Sequence, residues 1–442
     1  AAGGLGCLTL FLFPQLLGNL FNNAEMTSLA PKIGVVVWLW IFSAFLETVA
    51  VANRESRAAT MFIILAQLTK TALMAGAVVL FATVEAFLYA AMLQAGLQTL
   101  VLLVYLRKRF PRFWRKFDFG FFREQAFYAL PFGLASLLWT LQIDIHNYFV
   151  GHSFSAAEFA VYAYGCFQLP LIAMISESVT SVLIPRMSEL QMRGDKAEIV
   201  RLTARAMQKL AFFFFPIYVF LLITAQTFIT TLFTDKFAAS VPVFIINLTL
   251  LPFDIWVIDP ITRAYKEFGR FLLVMRFITL LALVAALYYG VQYFDLRGMI
   301  AIVVVASLTE RFVSTFVIAR KFGVKRKDAR LLNGVWKTAF ASAAAGAVLF
   351  LIYWLAKDSL YAFGANAVAA IFGAPKQAIV DFLAGAFTLA VCFSVFAPVY
   401  LFIMNVFGLI DDGEKAFVKS IFGKPKSLLL RGRRFAIQNP KS

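Results

Sequence analysis

The sequence predicts an all-α, polytopic transmembrane protein, and three observations predict it. Apolar residues make up 61% of the chain and charged residues 15%, where soluble domains run to about half and about a quarter. Apolar runs of bilayer-crossing length recur throughout, continuous rather than alternating, which speaks for helices and against a closed barrel. Basic residues collect in every second connection, and the connections between are almost uncharged.

Twelve spans follow in order. The first, 3–21, begins inside an apolar run (AAGGLGCLTLF) with no charged leader region, so the chain reads as a fragment lacking its N-terminal end. The second, 33–52, stops at the polar turn NRESR. Spans 58–82 and 86–106 form a hairpin closed by RKRFPRFWRK. Span 126–150 carries Pro131, Asp144 and His146, with His152 in the outer turn beyond it. Spans 157–185, 208–232 and 240–262 contain Pro170, Pro216 and Pro252; 271–292 and 299–319 form a second hairpin. Spans 335–356 and 379–407, the latter with Pro398, flank the longest outer loop, about 22 residues between 357 and 378. Each internal proline predicts a kink, because it removes one backbone donor and frees a carbonyl.

The net charge of +17 suggests nucleic acid until the charges are placed. Of 41 Lys and Arg residues, 33 fall on one face, which is therefore cytoplasmic; five fall in the alternate loops. Topology and attraction to anionic headgroups account for the excess, so no nucleic acid is expected. Cys7, Cys166 and Cys392 each sit in an apolar run and read as packing residues.

Two cytoplasmic turns are alike: 52–57 (ANRESR) and 264–270 (AYKEFGR). In both, 50 residues separate the turn arginine from a later basic pair, Arg107-Lys108 or Arg320-Lys321. The copies lie six spans apart, an even number, which implies a parallel repeat about an axis along the membrane normal. The expected organisation is a partial N-terminal lobe (1–106), a basic linker (107–125) and a six-helix C-terminal lobe (126–323). An extra helix pair (324–410) and a basic, amphipathic tail (411–442) follow.

The stretch 129–133 (ALPFG), then 142–144 (QID), 156–163 (AAEFAVYA) and 184–188 (IPRMS), resembles the polysaccharide biosynthesis family. That family comprises the O-antigen and repeat-unit flippases of the multidrug/oligosaccharidyl-lipid/polysaccharide exporter superfamily. The resemblance is concentrated in 129–188, and it departs where family members have Gly before the Tyr and this chain has Ala160-Val161. It implies fourteen helices, of which twelve are present here, and two stacked lobes around a cleft.

An ionisable side chain at membrane depth costs several kcal/mol unless it faces protein or water. Lys70 and Arg311 fall near the midplane, and with Arg276 they are candidate substrate contacts. Unpaired and facing a wet cleft, such cations bind a diphosphate; paired with acids, they clamp helices. Arg276 is also close enough to Arg270 to snorkel to the cytoplasm. Asp144, Glu47, Glu177, Glu310 and Asp254 are candidate coupling or gating acids, Glu310 with a competing role as an ion-pair partner. Asp144 serves equally as an anchor of its helix end. His146 lies two residues on and shares no helix face with Asp144, so the two form no catalytic pair. Asp259 lies in the cytoplasmic half of its helix, and Asp381 near the interface. Trp139 and Tyr148 are candidate sugar-stacking rings.

No phosphate-binding loop and no metal-ligand spacing is present, so neither a cofactor nor a metal is expected, nor an enzyme. The leading expectation is a monomeric flippase of the inner membrane. It moves a polyprenyl-diphosphate-linked oligosaccharide by alternating access, driven by H⁺ or Na⁺, with membrane lipids as its other partners. The alternatives are a cation-coupled multidrug exporter with the same lobes and a membrane glycosyltransferase or ligase.

Overall fold

The computed structural model describes residues 2–53, 55–111, 118–373 and 376–409; the tail 411–442 and the linker core 112–117 lie outside the described residues. Everything described is helical or a short connection, and contacts divide the chain into two compact units, Ala1–Phe159 with Val284–Tyr293, and Ala160–Leu283 with Phe294–Ser442.

The first unit begins with α1 (Ala2–Leu12), α2 (Gln15–Leu20), α3 (Ala24–Ser43) and α4 (Phe45–Ala52). It continues with α5 (Ser56–Phe81), α6 (Val84–Arg109) and α7 (Phe119–Ser153). Helix α6 lies between α3 and α5. The second begins within α8 (Ala156–Gly165) and holds α9 (Pro170–Met192), α10 (Lys196–Phe233), α11 (Val241–Leu248) and α12 (Asp259–Ala264). Then come α13 (Lys266–Tyr293), whose last ten residues belong to the first unit, α14 (Leu296–Lys321), α15 (Asn333–Phe372) and α16 (Gln377–Val406).

Ten segments among the described residues are long and apolar enough to cross a membrane, against twelve expected. The span expected at 3–21 breaks at Pro14 into α1 and α2, because proline at 14 cannot donate to the carbonyl one turn back. The span expected at 126–150 lies inside α7, a 35-residue helix that begins earlier because Asp118 caps it, accepting from the Phe121 N–H at 3.1 Å. Helix 157–185 is in fact two: the chain leaves the helix at 166–169 and restarts at Pro170, whose fixed φ suits a first helical position. Pro252 likewise opens a short 3-10 turn, Leu251–Ile255, so 240–262 is three pieces. The outer loop expected at 357–378 is mostly helix; α15 runs to Phe372 and ends at Gly373, whose φ of 75° a side chain would resist.

Pro216 and Pro398 do lie inside helices. Pro216 has no N–H for the Phe212 carbonyl, and the Tyr400 hydroxyl of α16 donates to that oxygen instead, at 2.8 Å. This bond joins α10 to the α15/α16 pair inside a core of Ala341, Ala345, Leu349, Cys392, Phe396 and Met404. Small residues let the backbones close up there, since a side chain at Gly346 would meet Val219, and at Gly385 Thr231. Tyr400→Phe is expected to lower stability by about 1–3 kcal/mol, read as a lower Tm in detergent. In a Pro216→Ala background the loss should shrink, because an alanine there supplies the missing donor. Equal losses in both backgrounds would show that the proline does not create the vacancy.

The two hairpins share one numbering offset. α6 and α14 begin and end 212 residues apart, as do their N-caps, Thr83 and Asp295. Glu55 pairs with Arg109 at 2.7 Å, and Glu267 pairs with Lys321. Each pair ties one of the two similar turns to the end of the second helix after it, across 54 residues. The side chain of Arg57, one of the two turn arginines, lies outside the described residues.

Candidate functional site

In the first unit a polar centre forms where α3, α5 and α6 meet. Its starting point is Trp40, whose indole N–H donates to Gln94 Oε1 at 3.0 Å. An indole nitrogen is a donor only, so the amide of Gln94 is forced to present its oxygen to Trp40 and its NH₂ away. That NH₂ donates to Gln98 Oε1, also at 3.0 Å, one helical turn along α6. The relay therefore ends with the Gln98 NH₂ as a donor.

Lys70 of α5 completes the centre, its ammonium 4.3 Å from the centroid of the Trp40 ring, a cation–π contact. It stands fourteen residues past Ser56, about 21 Å along the helix and thus near the middle of the candidate span Ala59–Phe81. Around these groups is an open cavity of about 180 Å³, also lined by Ser43 and Gln67. Among the described residues no carboxylate lines it, and no ion pair to Lys70 is found.

The second unit carries the two intramembrane arginines, and here the acids are close. Arg311 reaches the 3-10 turn between α11 and α12: Nη2 pairs with Asp254 at 2.5 Å, and Nη1 donates to the Phe253 carbonyl at 3.0 Å. One guanidinium thus satisfies both a carboxylate and a backbone oxygen where the helix is unwound. Trp256 and Phe312 cover the site in an edge-on contact, 4.7 Å between centroids. Glu310 points elsewhere, as adjacent helix positions must. It lies 3.8 Å from Arg276 Nε, and Arg276 also lies 3.8 Å from Asp259. Because α13 begins at Lys266, Arg276 is ten residues in, and its side chain is only 17% exposed. It turns toward Asp259 and Glu310 on neighbouring helices instead of snorkelling out of the span.

The remaining sequence-predicted residues are dispersed. Asp144 is half-buried on α7, and Glu47 and Glu177 are exposed on α4 and α9. His146 is buried, while His152 lies in the last turn of α7 with Nδ1 3.1 Å from the Leu20 carbonyl oxygen. Asp381 accepts from Tyr361 and Gln377, both at 2.8 Å. Tyr148 packs against Phe21, and Trp139 is exposed.

Sequence reasoning passed over Trp40, Gln94, Gln98 and Gln67. Their signal was there: amides at i,i+4 in α6, and Gln67 three before Lys70 in α5, each in the middle of an apolar run. At the hairpin offset of 212, Gln98 corresponds to Glu310. The two hairpins therefore place a polar side chain at the same step of the second helix, neutral in one and acidic in the other.

A family model described as polysaccharide biosynthesis protein matches residues 1–242. Among solved structures, the chain is similar to lipid II flippase MurJ in its inward closed conformation, with a TM-score of 0.65 at 15% identity, covering 91% of this chain and 80% of that one. No curated protein matches by sequence.

Proposed function

The chain belongs to the polysaccharide biosynthesis protein family and is a multi-pass membrane protein, and from that premise we propose that it is a flippase for a polyprenyl-diphosphate-linked oligosaccharide. The observation that carries this reading is the donor-rich centre around Lys70. A half-buried cation midway along an apolar span, among hydrogen-bond donors and with no carboxylate against it among the described residues, is suited to an anionic, hydroxyl-rich headgroup. A pump for cationic drugs would want the opposite lining. The fold shared with a structure titled lipid II flippase supports the reading.

In this scheme the two repeats are like-oriented halves that alternate access to the substrate, with α15 and α16 as an accessory pair. Lys70 contacts the headgroup. Arg311 and Arg276 hold the broken segment between α11 and α12 in register through Asp254, Asp259 and Glu310. Protonation or Na⁺ binding at Asp254 or Glu310 loosens that hold and couples the cycle to the membrane potential, worth about 2.3 kcal/mol per charge at 100 mV. Asp144, Glu47 and Glu177 are further candidates for the coupling group.

The test is reconstitution into vesicles carrying a fluorescent polyprenyl-diphosphate oligosaccharide, with a membrane-impermeant quencher reporting the exposed leaflet. Faster loss of protected label than in protein-free vesicles is the expected result. No acceleration, with a drug exported instead or sugar transferred to an acceptor, would replace it with one of the alternatives.

A further inference from the structure

Resting on the flippase reading, we infer that the Trp40–Gln94–Gln98–Lys70 centre is a subsite for an acidic sugar, a hexuronate-type ring within the oligosaccharide, and not the seat of the diphosphate.

Charge comes first. A diphosphate carries roughly two or more negative charges and is matched by several cations, arginine above all, because its fork is bidentate to phosphate. This centre offers one cation, a lysine, whose ammonium is a point charge. One uncompensated positive charge balances one carboxylate.

Donor geometry comes second. The indole fixes the direction of the amide relay, so the chain of bonds from Trp40 through Gln94 ends in a free-facing amide NH₂ on Gln98. Gln67, on the exposed face of α5, adds an amide with both donor and acceptor character at the cavity rim. Side-chain amides match ring hydroxyls, each of which donates and accepts.

The wall comes third. Trp40 is half-buried, its ring turned to the Lys70 ammonium, and Ala44 and Ala66 leave its surroundings shallow. The ammonium lies over one face of the indole, so a pyranose stacks its C–H face there as its carboxylate draws the ammonium off the ring. The ammonium and the amide N–H groups would also serve a phosphate; the indole and the single charge favour the acidic sugar. Together they select a sugar that is both flat and singly charged.

The experiment is binding to the full chain in nanodiscs, by calorimetry, with three soluble probes: digalacturonate, the matching neutral digalactose, and inorganic pyrophosphate. Digalacturonate should bind at least about tenfold more tightly than digalactose, and pyrophosphate should not displace it. Gln98→Leu and Trp40→Leu should each weaken digalacturonate about fivefold or more. Lys70→Gln should abolish the preference for the acidic sugar, and Lys70→Arg, which keeps the charge, should largely retain it. Equal affinity for the two disaccharides, displacement by pyrophosphate, or an intact preference in Lys70→Gln would each overturn the proposal. Monodispersity of every variant on size exclusion separates lost binding from lost folding. Because the assay requires no translocation, selective binding by a protein that fails to flip lipid would sink the flippase reading and leave this subsite standing. Flipping with indifferent binding would do the reverse.

Discussion

Lys70→Ala should slow translocation of a lipid-linked oligosaccharide by about ten- to a hundredfold while leaving the amount of inserted protein unchanged. The size follows from one charge-assisted contact, worth about 1.5–3 kcal/mol, at about 1.4 kcal/mol per factor of ten. Folding should be spared because Lys70 is only half-buried and its observed contact is the face of Trp40, with no buried carboxylate to leave behind. The measurement is the initial rate of label protection loss in vesicles, normalised to protein content. A full rate in the alanine variant would remove Lys70 from the substrate path.

Arg311→Ala should act differently, through stability. Its guanidinium serves Asp254 and the Phe253 carbonyl together, in a single 3-10 turn where the Trp256 N–H is that carbonyl's other donor, at 3.2 Å. Deleting it strands the Asp254 carboxylate within an apolar span and leaves the Phe253 carbonyl with the Trp256 N–H alone. The pair is more than a quarter exposed, which lowers the cost from that of a sealed ion pair, and about 3 kcal/mol is expected. Thermal unfolding in detergent should show a markedly lower Tm, and transport should fall with it. Asp254→Asn in the same chain should recover part of the loss, since the stranded charge is gone. If the double variant is no more stable than Arg311→Ala, the carboxylate is not what the arginine neutralises.

The contrast between these two cations was only half visible in the sequence. Depth along an apolar run identifies Lys70, Arg276 and Arg311 as intramembrane groups, and counting residues from a helix start is enough for that. Pairing is another matter. Arg311 and Glu310 are neighbours in the chain and face different partners, 58 residues from Arg311 to the Phe253 carbonyl it binds. The unwound turn that brings Asp254 into range depends on Pro252 opening a helix instead of kinking one. Trp40 reaches Gln94 across 54 residues, a contact that exists only because α3 packs on α6.

What the sequence determined by itself is everything governed by local or one-dimensional physics. Hydropathy along the chain set the membrane-spanning class, the alternation of basic loops gave an expected sidedness, and a fixed offset between two hairpins has its counterpart in the Glu55–Arg109 and Glu267–Lys321 pairs. Tertiary structure decided which charges within the apolar spans pair with one another, Arg311 with Asp254 and Arg276 with Asp259 and Glu310. It also decided where helices break and which freed carbonyl finds a hydroxyl, as Phe212 finds Tyr400. The reason is that in a low-dielectric medium the fate of a polar group is set by the few ångströms around it, and those neighbours come from helices remote in sequence.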